Sequence, residues 1–210
     1  MNSNKNMVNK AKLYRLQKWS DEGNRNSDDY DEYMIRKFCR HFGLDSSVFD
    51  YIVDLFGRVR DGGLLRGRSL EVGVGACCLL GCRLLGEAYN VNDVVEVFHI
   101  DKKSVNGMYR VVKRELGLSV PVLSPCSYVP RFCRDLDLED DVCSRAMDLV
   151  GLGDSGGLVN GKSPLGLVGA SLYLACRDCG VSVTQRDVCG VVGVSEVVLR
   201  SRCYELDGLM

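Results

Sequence analysis

The side chains of this sequence that could do chemistry are mainly cysteines and arginines, and their spacing decides which chemistry is open to them. Eleven cysteines are spread along 210 residues. One pair, Cys176-Arg-Asp-Cys179, has the two-residue spacing of a zinc or dithiol motif. It falls inside a helical pattern, however, with no second such pair and no His partner, so no metal site and no cofactor are expected. Cys77, Cys78, Cys82 and Cys176 lie in apolar runs, where a free thiol behaves as a small hydrophobe. The two histidines, His41 and His99, stand near no nucleophile or carboxylate pair in the sequence, and no Gly-rich phosphate loop follows a strand. An enzyme would therefore need a site assembled only in space. The remaining chemistry is recognition. After Ser195, a helix-opening residue type, come Glu196, Val197, Arg200, Ser201 and Arg202. A helix presenting such residues from its first two turns suits the major groove, where an apolar group meets a thymine methyl and an arginine forks onto guanine.

These residues need a scaffold, and the chain supplies it twice. Gly67-Arg68-Ser69 realigns without a gap on Gly161-Lys162-Ser163, an offset of 94 residues (161 − 67). The same shift superposes Val74 on Val168, Gly75 on Gly169, Ala76 on Ala170, Leu80 on Leu174, Cys82 on Cys176, Asp93 on Asp187 and Val97 on Val191. Each copy ends in a short helix, a turn and a longer helix, the sequence form of a helix-turn-helix. In the second copy Thr184 is the expected cap of the short helix, Gly193 the turn and Ser195 the cap of the next helix, with Val188, Val191, Val194 and Leu199 facing inward. In the first copy the corresponding cap is Asn90, the turn Phe98-His99-Ile100, and Asp101 caps a helix carrying Lys102, Lys103, Arg110, Lys113 and Arg114. Those cations suit phosphate oxygens or an acidic protein partner better than base edges, and a solvated helix face is the other reading.

Helical periodicity predicts an all-α chain with five helices per half: about 29–42, 46–61, 69–86, 91–97 and 102–116, then about 127–136, 139–150, 164–179, 184–191 and 195–207. The third helix of each half is rich in Gly, Ala and Cys, which points to a central helix closely approached by its neighbours. Pro121, Pro125 and Pro130 bracket the middle and set an expected linker over 119–126, between a first repeat at 29–118 and a second at 127–210. Residues 1–28 read as a basic arm (Lys5, Lys10, Lys12, Arg15, Lys18) followed by an acidic spacer. A net charge of −1 argues against gripping nucleic acid by bulk electrostatics. Cysteine use without an apolar leader points to a reducing, cytoplasmic setting, and no apolar run of about 20 residues is present to span a membrane.

Several segments together resemble one family. Tyr14-Arg-Leu-Gln-Lys-Trp19, Leu65-Arg-Gly-Arg-Ser-Leu-Glu71, Arg114-Glu-Leu-Gly-Leu118, Ser124-Pro-Cys-Ser-Tyr-Val-Pro-Arg-Phe132 and Thr184-Gln-Arg-Asp-Val188 are similar, in the same order over about residues 11–208, to the core of archaeal transcription factor B, the counterpart of eukaryotic factor IIB. The resemblance implies two tandem cyclin-like five-helix repeats, each ending in a helix-turn-helix, that bind the TATA-binding protein on double-stranded promoter DNA. It places reading of the element upstream of TATA on Gln185, Arg186, Val197 and Arg200, with Arg202 beside them. It suggests Arg66, Arg68, Lys102 and Lys103 as contacts to the TATA-binding protein or to phosphate, and it sets Tyr14, Arg15, Lys18 and Trp19 along RNA polymerase. The family's zinc ribbon finds no match in residues 1–30, which hold no Cys or His, so the expectation is either a truncated or regulatory paralogue with impaired polymerase recruitment or a shortened version of a longer factor. A cyclin-like interaction module that regulates a kinase is the alternative, because the fold is shared.

Overall fold

The computed structural model describes residues 27–210, and these are all helical, with no strand among them. The helices are α1 (Ser27–Phe42), α2 (Ser46–Asp61), α3 (Leu70–Leu84), α4 (Val91–Phe98), α5 (Lys102–Glu115), α6 (Val129–Asp135), α7 (Asp140–Ser155), α8 (Pro164–Asp178), α9 (Gln185–Val192) and α10 (Glu196–Asp207), with a 3-10 turn at Pro125–Tyr128. They form two compact units, one from the residues up to Leu85 with Tyr89–Val120, the other from Gly86–Ala88 with Pro121–Met210.

In the first unit α3 is the axis. Ten consecutive residues, Gly73 to Cys82, are buried, so this helix has no solvent face and is packed on all sides. Its glycines mark where neighbours come closest. A Cβ at Gly73 would stand 2.4 Å from Leu65 Cδ2, one at Gly75 2.8 Å from Val94 Cγ1, and one at Gly81 2.5 Å from Ile52 Cγ1. The thiols of α3 belong to this core: burial pushes the Cys77 and Cys78 pKa values well above the usual thiol value, so both are neutral packing groups. In the second unit α8 has the same role, with Gly166–Leu172 and Leu174–Cys176 buried against α7, α9 and α10.

Three local outcomes differ from the periodicity. α7 continues to Ser155 rather than stopping near residue 150, running through Gly151 and Gly153. At Gly153 a Cβ would lie 2.5 Å from Leu167 Cδ1, so close packing on α8 outweighs the poor helix propensity of glycine. The chain enters the second unit earlier than residue 127, through the 3-10 turn, where Ser124 Oγ accepts from Cys126 N at 3.3 Å and Pro125 and Tyr128 are buried. Finally, α3 begins one residue after Ser69, whose side chain caps it by accepting from Val72 N.

The two kinds of glycine respond oppositely to a methyl group. Gly81→Ala drives a Cβ into the fully buried, β-branched Ile52 and lowers stability by about 1–3 kcal/mol. Gly151→Ala meets open space inside α7 and raises stability by roughly 1 kcal/mol. Urea midpoints at unchanged m-value check both signs.

Candidate nucleic-acid interface

The second helix-turn-helix is α9 and α10, and its geometry is set by side chains bonded to nearby backbone. Thr184 Oγ1 accepts from Asp187 N at 3.2 Å while Asp187 Oδ2 accepts from Thr184 N at 3.1 Å, a reciprocal capping box. The hydrogen bond from the Thr184 hydroxyl, followed by that from its backbone N–H, holds the Asp187 pKa below its ordinary value. The cap is thus present at neutral pH and is lost only as pH falls through that lowered pKa. Gly193 closes α9 in the left-handed region (φ 75°, ψ 34°), and Ser195 Oγ accepts from Val198 N at 3.3 Å to start α10.

The same hardware stands 94 residues earlier on different residues. Asn90 and Asp93 make the capping box of α4, His99 takes the left-handed turn at φ 52°, and Asp101 caps α5 by accepting from Ser104 N at 2.7 Å. His99 holds a conformation that glycine occupies without cost in the other copy.

Burial then divides the faces of the second motif. Val188, Val192, Leu199 and Leu206 are fully buried, whereas Val191 and Val194 are only partly so. Val192 is the inward residue at the end of α9, one position from the expected Val191. On the outside Arg186, Arg200 and Ser201 are exposed, and Val197 is 74% exposed on a helix that buries only Leu199 and Leu206. Tyr204, two turns beyond Val197, is 83% exposed and extends the same stripe. It was not among the expected residues, although its spacing of i+4 from Arg200 and i+7 from Val197 is a helical-face signal.

Arg200 gathers two partners. Its Nε donates to Gln185 Oε1 at 2.9 Å, and its Nη2 pairs with the Glu196 carboxylate one turn earlier. Gln185 and Arg200 are thereby joined across the motif. Arg202 does not share this surface. It follows Leu199 by three positions and precedes Leu206 by four, so helix periodicity turns it toward the core side. Its stem passes Gly166 of α8, where an added Cβ would sit 3.4 Å from Arg202 Cγ. Its guanidinium donates to the Leu158 carbonyl at 3.3 Å and pairs with Glu205, leaving the side chain 12% exposed.

In the first unit Arg66 and Arg68 are exposed in the α2–α3 connection, Arg68 donating to Leu64 O at 2.7 Å. Lys102 and Lys103 open α5, and Lys102 Nζ donates to Asn92 Oδ1 at 2.7 Å, so it ties α5 to α4. No hydrogen bond among the described residues links this pair to Arg66 or Arg68. Of the Cys176–Cys179 pair, Cys176 is buried and Cys179 exposed. No cluster of metal-ligating side chains occurs among the described residues, and none of their helices is long and apolar enough to cross a membrane. Tyr14, Arg15, Lys18 and Trp19 lie outside the described residues.

Two five-helix units, each closed by a helix-turn-helix with matching caps, define a tandem helical-repeat protein of the cyclin-like class. The transcription factor TFIIB repeat family matches the chain twice, over residues 29–115 and 118–207, and the chain belongs to that family. It is 36% identical over 202 residues to transcription initiation factor IIB 4 of Halobacterium salinarum, covering 94% of this chain and 62% of that protein. It is 33% identical over 204 residues to transcription initiation factor IIB of Methanosarcina mazei, covering 94% and 60%, and 33% identical to that of Archaeoglobus fulgidus, covering 94% and 62%. The chain thus spans about three-fifths of the length of these curated relatives.

The two turns give a direct test of the duplicated geometry. His99→Gly relieves a left-handed non-glycine residue and raises stability by about 0.5–1 kcal/mol, whereas Gly193→Ala costs about 1 kcal/mol. Thermal unfolding of the two variants checks the opposite signs.

Proposed function

We propose that this chain is a promoter-recognition factor without enzymatic activity. It seats on the TATA-binding protein at double-stranded promoter DNA and reads the bases upstream of TATA through α10. The observation that carries this reading is the exposed Val197–Arg200 pair on the second helix of the last helix-turn-helix, in a chain of the TFIIB repeat family. Val197 supplies an apolar surface for a thymine methyl and Arg200 a donor fork for guanine, which are the two contacts a major groove offers a helix of this kind. Arg186, exposed on the first turn of α9, is placed to meet the flanking phosphates.

Arg66, Arg68, Lys102 and Lys103 give the first unit its contacts to phosphate or to the TATA-binding protein. Tyr14, Arg15, Lys18 and Trp19 face RNA polymerase, and the factor works in the cytoplasm at the nucleoid. The balanced charge makes DNA affinity weak for the chain alone, since Glu196, Glu205 and Asp207 already pair with Arg200, Arg202 and Arg177. Binding therefore depends on the partner protein and falls as salt rises.

A gel mobility shift with an archaeal TATA-binding protein on a TATA-containing duplex tests the reading. The chain should supershift the binary complex, and scrambling the upstream bases should weaken the ternary one. Val197→Ala with Arg200→Ala should cost about 1–3 kcal/mol and relax the upstream preference. Absence of a supershift at low salt would overturn the reading and turn attention to a protein partner such as a kinase.

A further inference from the structure

We infer that Gln185 and Glu196 are positioning residues that hold the Arg200 guanidinium end-on toward a base edge, and so set specificity without touching the base themselves. The inference rests on the promoter reading proposed above and changes the part that Gln185 has in it. A guanidinium has two edges that can fork onto paired acceptors, the side edge of Nε and Nη2 and the end edge of Nη1 and Nη2. In this structure the side edge is taken, Nε by Gln185 Oε1 at 2.9 Å and Nη2 by Glu196. Nη1 makes no hydrogen bond to any described residue, so the end edge is the one left for a ligand.

The two partners come from different elements. Gln185 is the first residue of α9, next to the capping box, and Glu196 is the first residue of α10, next to the Ser195 cap. Those caps fix both backbones, so the points from which the two side chains reach Arg200 are set. Arg200 is exposed and would otherwise sample many rotamers, an entropy lost each time it docks. Fixing it beforehand removes part of that loss. The identity of the partners adds discrimination. A neutral amide and a carboxylate flank the guanidinium, and the carboxylate repels phosphate oxygens from the Nη2 side. Guanine offers O6 and N7 as acceptors without a full negative charge, and so meets the end edge without that repulsion. An exposed ion pair of this kind contributes little to stability, which makes its consequence one of geometry and selectivity.

Two measurements separate the inference from the reading beneath it. The first needs no DNA: NMR of the whole chain should show a slowly exchanging Arg200 Nε–Hε signal, displaced and faster-exchanging in Gln185→Ala. An Arg200 signal unaltered by that substitution would show that the clamp does not exist in solution and overturn the inference. The second selects bound duplexes from a pool randomised upstream of TATA, in the presence of an archaeal TATA-binding protein. Arg200→Ala should remove a guanine preference at one position. Gln185→Ala and Glu196→Gln should each weaken preference at that same position by roughly five- to tenfold. Glu196→Gln should also steepen the salt dependence by about one phosphate contact, and neither should add to the effect of Arg200→Ala.

A pool unchanged by Arg200→Ala would sink the promoter reading together with the role given to the clamp. A pool changed by Arg200→Ala but not by the other two would sink the inference alone. Loss of preference at a different position in Gln185→Ala would show that Gln185 reads its own base. A sharper guanine preference in Glu196→Gln would make the pair a brake rather than a guide, again against the inference.

Discussion

The structure depends on how closely helices can approach α3 and α8. Both lack an exposed face, and both carry glycines where a neighbour's side chain comes close to the space of the missing Cβ. Glycine in a helix costs about 1 kcal/mol, so these positions work only because the buried contacts exceed that penalty. Ile52 against Gly81 and Leu167 against Gly153 show the principle in each unit, with the glycine on the central helix in one case and on its neighbour in the other. Once that packing is set, α4 and α5 in one unit and α9 and α10 in the other have a fixed floor to stand on, and the orientation of every surface residue follows.

Above this floor the helix-turn-helix is built from short-range bonds, and the duplication shows how loosely residue identity is tied to them. Asn90 and Thr184 both complete capping boxes, Asp101 and Ser195 both cap the second helix, and His99 and Gly193 both turn the chain with positive φ. An oxygen acceptor at a cap can be an amide, hydroxyl or carboxylate, so these positions diverge without changing shape. The exposed faces, with no such constraint, diverge in character. α5 carries Lys102, Lys103, Arg110, Lys113 and Arg114, with Glu115 bound only to Arg114, while the cations of α10 are each met by an acid. One repeat presents charge and the other presents a neutralised surface on which Val197, Arg200 and Tyr204 stand out.

On the promoter reading proposed above, the balanced charge of α10 suits a factor whose affinity comes from a partner protein. Attraction to phosphate speeds and strengthens binding everywhere on a duplex, so it adds affinity without choice. Where a partner supplies the affinity, the helix is free to use its contacts for discrimination. The neutralised α10 face is the feature of this chain that motivates that proposed division of labour.

The sequence by itself determined the duplication, the helical class, the helix order and the caps of both motifs. Each is a local property: a 3.6-residue period, a polar acceptor before an amide, or a residue that tolerates positive φ carries its meaning within a few positions. The exposed Val197 and Arg200 were legible for the same reason, as residues of the first two turns after a cap. Tertiary structure decided what depends on the rotation of one helix against another. Arg202 turns inward over Gly166, Val192 rather than Val191 completes the core, Tyr204 is left in solvent, and α7 runs through Gly153 because Leu167 occupies the space beside it. The union of Gln185 with Arg200 belongs there too, since 15 residues and a turn separate them in the chain and only the crossing of α9 with α10 brings amide and guanidinium within bonding distance.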